Sequence, residues 1–309
     1  MAGVLVSVVL VVLGVVLLRF DTTEGTGQRE APGIEVRPAT AEDEPAGLVT
    51  AADPICEDHN LVSGILAGRW QSFGQIDHEI PARSWTPGQR DIAEATARAM
   101  LSAAGQYESM LPRAQNRVIQ EMLAQTIVYL RMNAANMPDY QARSDAYIAY
   151  VVTALDGAVG NICSAVPEVK ALPDSGSRPT SVAADPRELV PFMEVEDGIC
   201  EDLVLWAERR DEELNWEAYN TDMDVAASQW TPEQRAVAVD AAKVLARNVD
   251  EIREFAERAA NPVVRDFLFT AIPYYQLIAD RLPNYQVSDG PLWTVAFNSV
   301  NAVRYACQI

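Results

Sequence analysis

Lysine is almost missing from this chain: Lys170 and Lys243 are its only two, and nearly all of its positive charge is arginine. With 24 Lys+Arg against 44 Asp+Glu and a formal charge of -20, there is no basic cluster to displace counterions from a phosphate backbone. A nucleic-acid partner is excluded, and so is adsorption to an anionic membrane surface. The arginine bias and the Ala/Val richness read as high-GC codon usage, and the acidity as a solvated surface. Histidine is nearly as scarce. His59 and His78 are the only two, no Glu-x-x-His pair exists, and His78-Glu79 is not followed by the second His of a zincin helix. Both read as solvated surface residues, and no metal site is expected. There is no Gly-x-Ser-x-Gly elbow, no glycine-rich phosphate loop and no Cys-x-x-Cys. These absences leave no catalytic, cofactor-binding or metal-ligating residue to name, so the chain reads as a non-enzyme without a cofactor.

What is present begins with an apolar run over residues 2–18, followed by Arg19. Its length is at the lower limit for a spanning helix. It lacks the basic start and small-residue cleavage site of a signal peptide, so residues 1–20 read as an uncleaved transmembrane anchor. Arg19 by itself would keep the following chain in the cytoplasm; the cysteines argue the opposite. Residues 21–54, rich in Glu, Thr, Ala, Gly and Pro, read as a flexible acidic tether.

The remainder is a duplication. Ile55-Cys56-Glu57-Asp58 returns as Ile199-Cys200-Glu201-Asp202, and Trp85-Thr86-Pro87-Gly88-Gln89-Arg90 as Trp230-Thr231-Pro232-Glu233-Gln234-Arg235. Met137-Pro138-Asp139-Tyr140-Gln141 is answered by Leu282-Pro283-Asn284-Tyr285-Gln286, and Cys163 by Cys307. The spacing between copies stays at 144 or 145 residues throughout. Repeat 1 spans 55–163, a Pro-rich linker 164–197, and repeat 2 198–309. Leu189, Val190, Phe192 and Met193 in that linker form an apolar arm, suited to packing between the repeats or onto a partner.

Each repeat reads as four helices in an antiparallel bundle, giving an all-α fold. Leu61, Ile65 and Trp70 suggest the first helix of repeat 1, and Leu203, Trp206, Leu214 and Tyr219 that of repeat 2. The second helices start where Thr86 or Thr231 caps, proline takes the first turn, and Gln89 or Gln234 completes a capping box. Third helices carry Val118, Met122, Leu123, Thr126, Tyr129, Leu130 and Met137 in one copy. In the other they carry Val264, Phe267, Leu268, Ala271, Tyr274, Tyr275, Ile278 and Leu282, after an Asn261 cap. Pro273 falls inside that helix and should kink it. Fourth helices carry Ile148, Val151, Leu155, Val159 and Ile162, against Leu292, Val295, Val300 and Val303. Glu208, Asp211, Glu212 and Glu213, interspersed with Arg209 and Arg210, read as a salted helix face.

Both Cys56–Cys163 and Cys200–Cys307 span 107 residues, so this pairing respects the duplication. In an up-down-up-down bundle it also clasps the two ends of each repeat. Structural disulfides need an oxidising compartment, which puts both domains outside the cytoplasm, on a single-pass anchor in the cell membrane. The expected role is to bind or scaffold an envelope or membrane protein partner. Trp85, Trp230, Tyr274 and Tyr275 are the candidate aromatic binding edge. The alternative is a carrier or sensor of an apolar ligand, lipid or haem, held inside a bundle, with Pro273, Tyr129 and Tyr274-Tyr275 lining the gap. A filled core favours the first role, a continuous cavity the second.

Overall fold

The computed structural model describes residues 43–76, 79–142, 144–173, 189–214 and 223–309. The chain divides into two units, Met1–Pro32 and Gly33–Ile309, and everything described belongs to the second. The expected anchor, His78, Tyr219 and most of the expected tether lie outside the described residues. Among these residues all regular structure is helical. The first half holds α1 (Cys56–Phe73), α2 (Pro87–Met110), α3 (Arg117–Asn136) and α4 (Ser144–Val169). The second holds α5 (Cys200–Glu213), α6 (Pro232–Arg258), α7 (Pro262–Arg281) and α8 (Gly290–Ala306). In each half successive helices pack together and the first touches the fourth.

Local chemistry sets the helix starts twice over. Thr86 Oγ1 accepts from the Gln89 N–H while Gln89 Oε1 accepts from the Thr86 N–H, and Thr231 and Gln234 do the same. Asn116 and Asn261 cap α3 and α7. Asp53 Oδ2 accepts from the backbone N–H of Gln115 and Asn116, and Asp197 Oδ2 from that of Asn261. Each carboxylate thus ties the entry of a first helix to the entry of a third. Both disulfides, Cys56–Cys163 and Cys200–Cys307, are formed and leave no free cysteine.

The two halves share one core. Helix α4 lies along α8 and α3 meets α7, so equivalent elements face each other, the mark of a two-fold relation within one chain. At Gly157 on α4 a Cβ would come 2.5 Å from Asn298 Nδ2 on α8, so glycine permits the close approach there. Beyond it, Tyr147 and Tyr150 of α4 pack on Tyr305 of α8, with ring centroids 6.3 and 5.1 Å apart. Where α3 meets α7, the equivalent carboxylates Glu121 and Asp266 converge on buried Arg117, whose Nε donates to Asp266 Oδ2 at 2.8 Å.

Two extended arms cover this junction. Asp266 Oδ1 accepts from the Ala46 N–H at 3.0 Å, while Arg117 donates to the Glu44 carbonyl and Arg265 to that of Asp43. Residues 46–50, which the composition assigns to the tether, are therefore buried in the folded body. The linker arm does the equivalent: Phe192 is wedged between Tyr129 of α3 and Phe267 of α7, and Gln125 bonds the Val190 carbonyl and the Phe192 N–H. With neighbours on both sides, α3 buries Gln120, Glu121 and Gln125 along with its apolar stripe.

The sequence reading of α1 changes. In α1 the inward residues are His59, Val62, Leu66 and Phe73, whereas Leu61 and Ile65 are 68% and 59% exposed. The apolar period was displaced because a histidine sits in the core. Helix α4 is the one described helix long and apolar enough to cross a membrane, but half of its most apolar window is buried against the body, as in a core helix. Pro273 lies inside α7, which runs through it without a break.

Replacing both Cys56 and Cys163 by Ala should cost about 4–5 kcal/mol in the loop-entropy picture, read by denaturant unfolding. Arg117→Met, which strands Asp266 and Glu121 in the core, should cost about 3–5 kcal/mol. If Arg117→Met unfolds at the wild-type denaturant midpoint, the junction is not what joins the halves.

Candidate functional site

The four aromatics expected at a binding edge are core residues. Trp85 stacks on Tyr140 and Trp230 on Tyr285, at 5.3 and 5.7 Å, and each tryptophan is only 3% exposed. Tyr274 and Tyr275 are fully buried, as is Tyr129 apart from a trace. Trp85 and Trp230 are covered by the Tyr140 and Tyr285 rings of their own halves, whereas Tyr274 and Tyr275 lie on α7, which meets the opposite half as well.

What differs between the halves is more informative. His59 is fully buried against α2 and α4, contrary to the expectation of a solvated side chain. Its ring stacks on Tyr107 at 5.3 Å, and Nε2 lies 3.1 Å from Asp156 Oδ1, at ion-pair distance but out of line for a hydrogen bond. Tyr107 Oη donates to Asp156 Oδ1 and Ser63 Oγ to Oδ2, each at 2.5 Å. Nδ1 of His59 has no hydrogen-bond partner and faces Gly160, where a Cβ would sit 3.8 Å away. In the second half the matching positions are Leu203, Ala207, Ile252 and Val300, all buried. One copy thus carries a carboxylate hub with two hydroxyl donors and a histidine at ion-pair distance, at a place where the other is plain hydrocarbon. Burial pushes the Asp156 carboxyl up, but His59 and then the Ser63 and Tyr107 hydroxyls outweigh it and hold it below the ordinary carboxylate value. Burial, then the Asp156 charge, pushes the Tyr107 hydroxyl well up, so it remains a donor.

The second half has its own buried charge. Arg210, expected on a solvated face, is 1% exposed, 4.7 Å above the Phe297 ring and 5.2 Å above Trp206. It donates to Tyr275 Oη at 3.0 Å, to Asn301 Oδ1 at 3.1 Å and to Asp211 Oδ1 at 2.7 Å. Asp211 is bridged in turn to Arg304. Burial opposes the charge, yet Tyr275 and Asp211 more than offset it, so Arg210 stays cationic. Leu66 is the corresponding residue in the first half.

The surface of the described residues carries half-open depressions, among them one of about 170 Å³ beside Trp85 and Met137, one of about 170 Å³ between Trp70 and Tyr150, and one of about 320 Å³ between α5 and α6. The last is crossed by exposed ion pairs, Arg209 to Glu251 and Arg258 to Asp202. No group of three or more metal-ligating side chains occurs among the described residues.

Comparison with known proteins adds what geometry alone does not. A family described as mycobacterial ESX-1 associated protein matches residues 38–309. The chain belongs to that family. An uncharacterized protein of Mycolicibacterium smegmatis (strain MKD8) is 26% identical to this family member, over 97% of this chain and 83% of its own length. No solved structure matches the chain at a comparable level. The match runs from the N-terminal arm to the last residue, so it takes in both halves.

The buried quartet makes a pH prediction. Because the folded Asp156 carboxyl is depressed, its stabilisation is complete above its unfolded value near pH 4 and is lost as pH falls further. Asp156→Asn should lower stability by about 1.5–3 kcal/mol at pH 7 and flatten the acid limb of the stability profile below about pH 4. An unchanged acid limb in chemical denaturation would remove Asp156 from the account.

Proposed function

We propose that this chain is a non-enzymatic component of the cell envelope that binds or scaffolds protein partners of the ESX-1 secretion system. The family description carries the reading, since it links such chains to ESX-1. The two disulfides support an oxidising, extracytoplasmic setting for the body. The apolar run at residues 2–18 is taken as its single-pass membrane anchor, with both halves on the outer side. Each half acts as a disulfide-clasped four-helix bundle, and the two are fused through α4 and α8 into one rigid platform. The filled centre, with Tyr129, Phe267, Tyr274 and Tyr275 closed over, argues for an interaction surface over a carrier of lipid or haem.

Two measurements on the full chain in its native host test this. Its cysteines should resist maleimide labelling in intact cells until a reductant is added, and crosslinking from the envelope fraction should recover ESX-1 components. Free thiols together with a cytosolic location would sink the reading, and so would normal ESX-1 export after deletion with no crosslink to that system.

A further inference from the structure

The depression between Trp70 and Tyr150 is a built site rather than a surface dimple. It lies between the end of α1 and the start of α4, with Trp70, Phe73, Tyr140 and Tyr150 as walls. Ala149 and Thr153 of α4 are small enough to leave the space between those rings open. Its volume of about 170 Å³ compares with the roughly 150 Å³ of an apolar cavity that takes up one benzene ring. Asn133 of α3 also lines it. That side chain is 2% exposed, and its Nδ2 has no hydrogen-bond partner. A buried amide donor left unpaired is destabilising, and an incoming acceptor would satisfy it.

The duplication indicates what belongs there. At the equivalent positions of the second half, Ala149 becomes Trp293, Thr153 becomes Phe297 and Asn133 becomes Ile278. Trp293 and Phe297 stack at 4.1 Å and are both buried, and Phe297 packs on Tyr275 at 5.0 Å. The same place in the fold is therefore filled by the protein's own aromatic rings in one copy and left open in the other. The polar floor follows the same logic: an internal ring needs no donor, so Ile278 suffices, whereas a ring on a peptide brings carbonyls with it.

Charge narrows the occupant. The chain carries a formal -20. Burial first, then the nearby Asp145, Tyr150 and the exposed Glu79, pushes the Tyr140 hydroxyl up to about 12, so negative charge lies behind this wall of the pocket. Tyr150 is 49% exposed, so the wall on the α4 side is accessible.

We infer that this depression on the first half docks a partner protein through one aromatic side chain in a basic segment, with Asn133 Nδ2 donating to a carbonyl of that segment. The site deepens the partner-binding reading above and rests on it. Its energetics are those of an interface anchor: a ring buried in a desolvated pocket, surrounded by weaker contacts.

The probe is a capped pentapeptide, Arg-Ser-Phe-Ser-Arg, carrying a fluorinated phenylalanine and titrated by fluorine NMR with the full chain in detergent. Binding is expected for the Phe peptide, loss for its Ala counterpart, and at least about fivefold weakening when both Arg are replaced by Glu. Ala149→Trp, which copies the second half and fills the space, should weaken binding at least about tenfold. Asn133→Ile, also copied from the second half, should weaken it about fivefold or more. Both variants place residues that the fold already accommodates at equivalent positions, and circular dichroism with thermal unfolding verifies that they fold. The inference is overturned if no aromatic probe binds, or if the Ala peptide or the Ala149→Trp variant binds like the parent. Fluorobenzene binding as tightly as the peptide would also overturn it, in favour of a small-molecule pocket. Should the Ala149→Trp chain fail to bind the peptide yet keep its ESX-1 crosslinks in cells, the docking site falls as the main contact while the broader reading stands. Loss of crosslinks in wild type overturns both.

Discussion

The contact between the two fourth helices organises everything else in this molecule. Two helices rich in Val, Ala and Leu lie side by side, and at Gly157 their backbones come close enough that Asn298 occupies the space of a side chain. Once α4 and α8 are joined, α3 and α7 are carried into contact as well, and two equivalent carboxylates, Glu121 and Asp266, are brought face to face in the core. Such a meeting is affordable only with a cation between them and hydrogen-bond donors around them. Arg117 supplies the cation, and the arm at residues 43–46 supplies a backbone N–H for Asp266 and carbonyls for Arg117 and Arg265. The arm is thus held by electrostatics that exist only because the halves are fused.

An internal duplication also provides its own control. Wherever the two halves carry the same chemistry, as at the Thr–Gln capping boxes, the Asp53 and Asp197 ties, the Trp–Tyr stacks and the disulfides, that chemistry maintains the fold. Wherever they differ, the difference has a local cause that folding alone does not demand. The His59–Ser63–Tyr107–Asp156 quartet is replaced by four apolar residues in the second half, so this architecture does not need a polar group there. Arg210 is replaced by Leu66 in the first half, so it does not need a buried cation there. The open space above Asn133 is filled by Trp293 and Phe297 in the other copy. A buried polar group and an unfilled aromatic pocket each carry a free-energy penalty; the quartet and the open pocket belong to the first half, the Arg210 cluster to the second.

Much of this could be read from the chain before any coordinates. Helix starts were legible because capping is local chemistry: Thr86 and Gln89 are three residues apart and satisfy each other's backbone. The disulfide pairing was legible because the duplication removed the alternatives. The stripes of α3, α4, α7 and α8 were legible because apolar residues repeat at the helical period. The register of α1 was not, since Leu61 and Ile65 look like core and His59 looks like surface. Only Asp156, ninety-seven residues away, makes burial of that imidazole tolerable. Arg210 was misjudged for the same reason, because Tyr275, Asn301 and the rings of Trp206 and Phe297 come from three helices.

By itself, then, the sequence determined two helical repeats, their caps, their cysteine partners and an apolar leading segment, all properties set by neighbours in the chain or by a repeat that can be counted. Tertiary structure alone decided that the repeats are fused rather than strung apart, that both arms are bound at the junction, and that the predicted aromatic edge lies inside. It also opened a different aromatic pocket, between Trp70 and Tyr150. These outcomes depend on which faces meet, and a helix with two apolar faces, such as α3 or α4, does not announce in its periodicity what will cover the second one.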